Sequence, residues 1–243
     1  MVEKPLVYVG TSGWTYSWNE GGDFKWYVEN SGLNAVELNA SFYRFPFSSQ
    51  IAGWAKKGSE MRWAIKVHRT ITHLRRLSEN SYETWFKFRN LFSPMEKIID
   101  FYLFQLPPSF SCREEMLRRI ERFEGKTELG ERMAVEFRDP SCYNNSILKW
   151  AEEVGITLVS VDSPEATWIV RSTSSIYLRL HGRSEWYFHN YTYEELHDLA
   201  RKVFELMPER IYVFFNNDHW MLENAKTAMN LFSEYRTSSF NNK

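Results

Sequence analysis

The sequence predicts an α/β protein built as a single (β/α)8 barrel of the TIM type. Eight short apolar or β-branched runs recur roughly every 30 residues, and most of them are separated by segments with helical periodicity. A chain of 243 residues also has the length of one such barrel. An open doubly wound sheet is the alternative, but the first run ends in "GTSGW" and lacks the Gly-x-Gly-x-x-Gly loop typical of that fold.

The predicted strands are rich in Val, Ile, Phe and Tyr, the residues that favour extended structure. In chain order they are "LVYVG" from residue 6, "NAVELN" from 34, "RWAIKV" from 62, "FYLFQL" from 101, "MAVEFR" from 133, "ITLVSVD" from 156, "IYLRLHG" from 176 and "IYVFFNN" from 211. Because parallel strands need long crossover connections, their alternation with helices favours a parallel sheet that closes on itself.

Apolar stripes at helical spacing define the connections between these strands. The stripes comprise Trp85, Phe88 and Phe92 in the third connection, Leu196, Leu199, Ala200, Val203, Phe204 and Met207 in the seventh, and Ala225, Ala228, Met229 and Phe232 after the last strand. Thr192 and Glu195 have the spacing of a capping box at the start of the seventh connection. The sixth connection, "SPEATWIVRSTS", is too short for a full helix, so we expect it to be short or irregular.

Composition and charge narrow the function classes. The chain has 30 basic and 31 acidic residues, so its overall charge gives no general footprint for nucleic acid or an anionic membrane. No run approaches the ~18 apolar residues of a membrane span, and "MVEKPLVYVG" lacks the features of a signal peptide, so we expect a cytoplasmic protein with no membrane partner. We expect one domain over residues 1–243, with a frayed tail at 236–243.

The strands carry polar residues on one face near their carboxyl ends. Since side chains two residues apart share a face, Glu37 and Asn39 oppose the apolar Val36 and Leu38 in the second strand. The full polar set is Glu37, Asn39, Lys66, His68, Gln105, Glu136, Arg138, Ser160, Asp162, Arg179, His181 and Asn216. If the apolar residues pack under the helices, this set faces the barrel axis at the mouth where barrel enzymes place their chemistry.

The charges of this set balance. Three carboxylates, from Glu37, Glu136 and Asp162, match three cations, from Lys66, Arg138 and Arg179. One interpretation is a closed ion-pair network that only fills the barrel top. Because buried ion pairs are often no better for stability than apolar packing, the convergence of six charges favours a function.

Seven segments of the chain together resemble the DUF72 family, also called the YecE-like proteins. They are "VGTSGWTYSW", "AVELNASFYRFP", "KVHRTITH", "FQLPPSF", "MAVEFRDPSCY", "YLRLHGR" and "FFNND". The resemblance implies a TIM barrel and no established activity. It also implies that the family's motif positions here are Trp14, Tyr16, Glu37, Asn39, Lys66, His73, Gln105, Glu136, Arg138, Asp162, Arg179, His181, Asn216 and Asn217. The chain departs from the family's usual Arg-His-Pro-Ser-Trp at 138–142 and in its first loop, at "FKWYVEN".

The first functional hypothesis is an acid–base enzyme, of hydrolase, lyase or isomerase type, acting on a small anionic substrate that is phosphorylated or contains a sugar. In the catalytic group Glu136 is the base, Lys66 an electrostatic stabiliser, His181 or Glu37 the acid, and Asp162 a further member. Arg138 and Arg179 are expected to hold the anion. The other predicted substrate contacts are Asn39, Gln105, Asn216, Asn217, Trp14, Tyr16, Trp186 and Tyr187. Gly182 with Arg183, or the amides of Asn216 and Asn217, could hold a phosphate.

Two alternatives stay open at this stage. One is a metal-dependent phosphodiesterase on DNA, by analogy with endonuclease IV-like barrels, with Glu37, Glu136, Asp162 and His181 as ligands. The other is a protein that binds a nucleotide or nucleic acid without catalysis. We expect no cofactor, and a divalent metal bound by Glu37, Glu136, Asp162 and His181 stays open as an alternative.

Overall fold

Eight parallel strands close into a barrel in the computed structural model, which describes residues 4–238. They are β1 (Leu6–Thr11), β2 (Ala35–Leu38), β3 (Arg62–Lys66), β4 (Ile99–Gln105), β5 (Met133–Glu136), β6 (Thr157–Asp162), β8 (Ser175–Leu180) and β9 (Arg210–Phe215), whereas β7 (Thr167–Trp168) is a two-residue strand antiparallel to β6. The sheet order runs β5-β4-β3-β2-β1-β9-β8-β6, and pairing of β5 with β6 closes the ring. Each predicted run overlaps one barrel strand, which confirms the predicted fold class.

Helices cover the outside of the barrel. They are α1 (Phe24–Asn30), α2 (Ser48–Lys57), α3 (Tyr82–Leu91), α4 (Glu114–Thr127), α5 (Asn145–Val154), α6 (Tyr193–Glu205) and α7 (Met221–Ser238). The connection between β6 and β8 holds β7 in place of a helix, as the short sixth connection predicted. The segment "FKWYVEN", described above as part of a loop, is α1. It is helical because Asp23 caps it by accepting a hydrogen bond from the Trp26 amide at 2.8 Å.

The predicted helical stripes face the barrel except at Met207, which is exposed because α6 ends at Glu205. Trp85, Phe88 and Phe92 are fully buried, and Trp85 packs edge-to-face on Tyr102 of β4. At the start of α6 the reciprocal capping box forms, since the Thr192 amide donates to the Glu195 carboxylate at 2.9 Å. Burial of each large apolar side chain contributes about 1.5–3 kcal/mol, so these stripes hold the helices against the sheet.

Aromatic rings fill the lower part of the barrel axis. Tyr8 stacks on Tyr212 at 4.8 Å between ring centres, and Phe101 packs edge-to-face on both Tyr212 and Tyr177 at 4.8 and 5.1 Å. Phe214 joins them beside Tyr177. We call these five rings the axial plug. It is a packed core that excludes water from below the carboxyl ends of the strands.

Gly10 lets β1 and β2 approach each other. A Cβ atom at this position would lie 2.2 Å from the backbone oxygen of Ala35, a separation that side-chain carbons do not adopt. Gly10 and Ala35 are register partners in the sheet, so the contact is set by strand pairing. A side chain at residue 10 would therefore displace one strand of the barrel.

Three expectations about the chain as a whole have different outcomes. The last helix continues to Ser238, so residues 236–238 of the expected tail are helical, and residues 239–243 lie outside the described part. Within residues 4–238 we find no helix with the length and apolarity needed to cross a membrane. The single domain and the cytoplasmic location stay predictions.

Replacing Gly10 with alanine should lower the free energy of unfolding by about 1–3 kcal/mol, because the added methyl group overpacks the β1–β2 contact. Urea denaturation at neutral pH measures the change. The matched control is Gly125→Ala in α4, where a Cβ would meet no heavy atom within 4 Å and where alanine stabilises a helix by up to ~1 kcal/mol. Equal stability of Gly10→Ala and wild type would contradict the prediction.

Candidate functional site

The two-residue alternation of four strands brings charged side chains onto the barrel axis. The residues that line the interior lower down are Ala35, Ala64, Ala134 and Tyr177. Two positions further along the same strands stand Glu37, Lys66, Glu136 and Arg179. Glu37, Glu136 and Arg179 are fully buried and Lys66 is half-buried. The predicted orientation of these four residues toward the axis is confirmed.

The guanidinium of Arg179 binds two carboxylates at the centre of this site. Its Nε and Nη2 donate to the two oxygens of Glu37 at 2.9 and 2.7 Å, and its Nη1 donates to Oε2 of Glu136 at 2.5 Å. The hydroxyl groups of Tyr177 and Ser12 donate to the Glu37 carboxylate at 2.6 and 2.7 Å. Each oxygen of Glu37 therefore accepts two hydrogen bonds, and its capacity is largely used.

Glu136 is held as an anion by the cations around it. Its Oε1 lies 2.7 Å from Nε of Arg138 and 3.0 Å from Nε2 of His181. Burial alone would raise the pKa of Glu136, but the charges of Arg138 and Arg179 outweigh it and hold the pKa well below its usual range. Glu136 is therefore a weak base near neutral pH.

His181 is neutral in this environment. Burial, followed by the positive charge of Arg138, lowers the pKa of His181 to about 3. The side-chain amide of Asn216 lies 3.2 Å from Nδ1 of His181. If Asn216 donates to Nδ1, then Nε2 carries the proton and donates to Glu136, so the contact is a hydrogen bond and not an ion pair.

Lys66 lacks a polar partner. Its Nζ lies 4.5 Å from the centre of the Phe42 ring, and within residues 4–238 it makes neither a hydrogen bond nor an ion pair. Burial, followed by the positive charge of Arg179, lowers the pKa of Lys66 to about 7, although the carboxylates of Glu136 and Glu37 oppose the change. Both protonation states of this amine are therefore populated at neutral pH.

Other polar groups near Lys66 have unused hydrogen-bonding capacity. The buried Oδ1 of Asn39 accepts no hydrogen bond, while its Nδ2 makes only a long contact of 3.5 Å with the Ser12 carbonyl. Nε of Arg138, although close to Glu136, is not aligned for a hydrogen bond. On β4, Gln105 is half-buried, and its side chain bonds to none of the described residues. Because unpaired buried polar groups are costly, this arrangement is typical of a site that binds a ligand or ordered water.

His73 also lies at this mouth, although the sequence analysis gave it no role. It is in the π-helical turn Thr70–Leu74, and its ring packs edge-to-face on Phe42 at 4.9 Å. Burial, followed by the charges of Lys66 and Arg138, lowers the pKa of His73 to about 4. Single π-turns are frequent at functional sites, but no sequence pattern predicts them. The signal in the sequence is its place in the segment "KVHRTITH", where the family resemblance gives His73 as a motif position.

The prediction that Ser160 and Asp162 face the axis is wrong. In β6 the axial residues are Val159 and Val161, so Ser160 and Asp162 point to the outer side. The Asp162 carboxylate accepts hydrogen bonds from Tyr191 at 2.8 Å and from Arg183 at 3.0 Å. Asp162 therefore holds the loop after β8 and lies outside the group formed by Glu37, Lys66, Glu136 and Arg179.

Three of the predicted aromatic contacts lie at the mouth. The ring of Trp186 is 4.6 Å from the guanidinium carbon of Arg138 and 5.3 Å from the His181 ring, and Tyr187 lies 5.9 Å from the same histidine. Tyr16 is half-buried. Burial, followed by the charges of Asp218 and Glu37, raises its pKa to about 12. The loop after β8 therefore covers the Arg138 side of the mouth.

Two other predicted contacts are not brought to the mouth. Trp14 packs against Phe24 and Trp54, at 4.7 and 5.4 Å between ring centres, under the outer helices. The Asn217 side chain donates to the backbone oxygen of His189 at 2.7 Å and joins α7 to the loop after β8. Trp14 and Asn217 are therefore not part of the group of side chains at the mouth.

Three of the four residues predicted to hold a phosphate already donate hydrogen bonds within the protein. The Gly182 amide donates to the Tyr191 hydroxyl at 2.9 Å, and Arg183 binds the Asp162 carboxylate. The Asn216 amide donates to the Leu180 carbonyl at 2.8 Å. The amides of Gly182 and Asn216 and the Nε of Arg183 are therefore already engaged within the protein.

The residues predicted as metal ligands do not fit a metal ion. Asp162 lies on the outer side of β6, and Arg179 occupies the space between the carboxylates of Glu37 and Glu136. Among the described residues, no group of three or more His, Cys, Asp or Glu side chains is placed to hold a metal. The geometry thus provides no ligand set for the metal-dependent phosphodiesterase alternative.

Comparison with known proteins supports the family resemblance. A family model described as "Protein of unknown function DUF72" matches residues 8–241. A DUF72 family protein from Thermotoga maritima is 26% identical, with a TM-score of 0.79 over 94% of this chain and 98% of that chain. Another from Enterococcus faecalis is 20% identical, with a TM-score of 0.80 over 94% and 96%.

The fold is shared more widely than the sequence. A protein from Salmonella typhimurium described as containing a xylose isomerase domain has a TM-score of 0.61 at 12% identity, over 96% of this chain and 99% of that chain. At this identity the likeness shows the barrel fold alone. No curated protein matches the chain.

Replacing Arg179 with methionine should lower the free energy of unfolding by about 3–5 kcal/mol, because two buried carboxylates lose their shared cation. Urea denaturation at pH 7 measures the loss. Arg183→Met is the matched control, since Arg183 also binds a buried carboxylate but is partly exposed; its loss should be clearly smaller. Comparable losses in both variants would show that the central network has no special importance.

Acidification should destabilise the protein between pH 6.5 and pH 4. The folded-state pKa values of His181 and His73, about 3 and about 4, lie below the ordinary 6.5, so the unfolded chain takes up protons first as the pH falls. Below about pH 4.5 the lowered pKa of Glu136 acts in the same direction.

The measurement is the urea midpoint at pH 7, 6, 5 and 4. His73→Asn should reduce its fall with pH, whereas His197→Asn, at an exposed position, should leave that slope unchanged. A wild-type midpoint that is constant from pH 7 to pH 4 would refute the assignment of these histidines.

Proposed function

The chain belongs to the DUF72 family, and we propose that it is an enzyme that transfers protons on a small anionic sugar derivative bound at the barrel mouth. The observation that carries this proposal is the half-buried amine of Lys66, which has no polar partner among the described residues and a pKa of about 7. A group with this pKa accepts and donates protons with equal ease at neutral pH, as general acid–base catalysis requires.

The charge balance at the mouth supports an anionic substrate. The carboxylates of Glu37 and Glu136 are matched by the guanidinium groups of Arg138 and Arg179, which leaves Lys66 as an extra cation when it is protonated. An anion bound beside Lys66 and Arg138 would supply the missing negative charge. It would also raise the pKa of Lys66, so binding and proton uptake would be coupled.

Unused polar groups support a substrate with hydroxyl groups. The free acceptor of Asn39 can take a hydroxyl proton, and the amide of Gln105 can both donate and accept. The xylose isomerase domain named in the description of the Salmonella neighbour is consistent with a sugar, although a shared fold is only an analogy. A phosphorylated or acidic sugar combines these two features.

The proposed roles differ from those expected from sequence. Lys66 is the proton-transfer residue, and His73, which is neutral and close to it, is the second candidate for moving a proton. Glu136 is a positioning residue, because its lowered pKa makes it a poor base and its oxygens hold Arg138, Arg179 and His181. Arg138 contacts the anion, and Trp186 shields it from water.

Pyridoxal phosphate with borohydride tests this proposal, because it joins a phosphate to an aldehyde that traps neutral amines. Lys66 should be labelled fastest at pH 7, with a midpoint near pH 7 where half of the amine is neutral. Labelling is measured by peptide mass spectrometry. Excess inorganic phosphate should protect Lys66, and Arg138→Met should weaken that protection.

The control residue is the exposed Lys149 in α5, which phosphate should not protect. Lys149→Met should leave the labelling of Lys66 unchanged. Labelling of Lys66 no faster than that of Lys149 at pH 7 would overturn the proposed role. Fast labelling without phosphate protection would retain the reactive amine but refute the anionic substrate.

A further inference from the structure

A cavity of about 380 Å³ lies on the flank of the barrel, separate from the mouth. It is bounded by the loops after β1 and β2 and by one side of α2, and its inner wall includes Leu38 and Ala40. Asn39, which faces the mouth, stands between these two residues in the chain. The end of β2 therefore separates the two spaces, and the volume is within the range of small-molecule sites.

Indole rings form a fixed wall of this cavity. Trp14 and Trp54 both line it and meet edge-to-face at 5.4 Å between ring centres. Trp14 also packs against Phe24, which lines the cavity too, and against Trp63, at 4.7 and 6.1 Å between ring centres. Because these rings are already packed in place, a flat ligand ring could lie against them with little loss of side-chain freedom.

The charged groups of the cavity favour an anion. Arg44 and Lys57 line it, and neither side chain makes a hydrogen bond or an ion pair with any residue between 4 and 238. The one acidic residue in the lining, Asp23, already accepts a hydrogen bond from the Trp26 amide as the cap of α1. The lining therefore has two exposed cations without an ionic partner among the described residues, and one carboxylate that already caps a helix.

The presence of glycine at position 53 is not explained by the backbone conformation or by the packing of α2. Gly53 lies in the middle of α2, where glycine is less favourable than alanine, and its φ is not positive. A Cβ there would meet no heavy atom within 4 Å, so packing does not require glycine. The missing side chain instead leaves room in the cavity that Gly53 lines. A local rule broken without structural compensation is typical of functional positions.

We propose that this cavity is a second binding site, for a small molecule that carries a flat ring and an anionic group. The ring lies against Trp14 and Trp54, and the anionic group is bound by Arg44 and Lys57. The backbone at Gly53 forms part of the surface that the ring contacts. This site is independent of proton transfer at Lys66.

The test uses 1-naphthyl phosphate as the probe, with binding to the full chain followed by calorimetry and tryptophan fluorescence. Gly53→Leu, which fills the cavity, and Arg44→Glu with Lys57→Glu should each weaken binding by at least about tenfold. The neutral 1-naphthol should bind about tenfold more weakly than the phosphate, because it loses the two cations. Gly53→Ala should raise Tm while weakening binding.

Two control variants separate this site from the rest of the protein. Gly125→Leu places the same side chain at another open helical glycine and should leave probe affinity within about twofold of wild type. Lys66→Met at the mouth should do the same. No binding to the wild type, or wild-type affinity in a folded Gly53→Leu variant, would overturn the proposal. Loss of probe binding in the Lys66→Met variant would show that the probe binds at the mouth, and would refute the second site.

Discussion

The arrangement of the barrel mouth depends on one buried guanidinium, that of Arg179. It joins β2, β5 and β8 by binding Glu37 and Glu136 together, and all three side chains are fully buried. Surface pairs such as Lys87–Glu83 in α3 compete with water and contribute little, whereas an uncompensated charge in this interior would cost several kcal/mol. The same positive charge, after burial, is what lowers the pKa of Lys66. The arrangement of the strands and the lowered pKa of Lys66 thus have a common origin.

The sequence was sufficient for the fold and for most of the charged site because both follow from simple periods. The two-residue alternation of side chains along a strand placed four residues correctly, because an amphipathic helix covers the other face of each strand. These residues are Glu37, Lys66, Glu136 and Arg179. The alternation failed in β6, where no helix lies in the connection to the next barrel strand. There the outer side packs against an extended segment, and the Ser160 hydroxyl donates to the Val170 carbonyl at 3.0 Å. Without an apolar helix as a reference, the sequence of β6 does not show which of its two alternating sets of side chains faces the barrel axis.

The chemical roles of the residues at the mouth were harder to predict from the sequence than their positions in the barrel. A glutamate beside an arginine was interpreted as a base, yet Arg138 itself lowers the pKa of Glu136, and Arg179, which lies 43 residues away in the chain, lowers it further. Lys66 contrasts with Glu136, because its distinguishing property is the absence of a polar partner among the described residues. His73 reaches the mouth through a π-turn that leaves no pattern in the sequence. Each of these properties is defined by the assembled barrel and by no single segment.

The axial plug also determines how a molecule can enter and leave the barrel mouth. The five rings of the axial plug fill the axis directly below the charged residues, so the mouth is a pocket that is closed at its inner end. A molecule that reacts there must leave by the opening through which it entered. The next molecule cannot arrive until that departure is complete, so a product that resembles its substrate in charge would compete with it for the same entrance. The closed floor of the barrel would thereby make the site sensitive to the ratio of the two compounds in its surroundings.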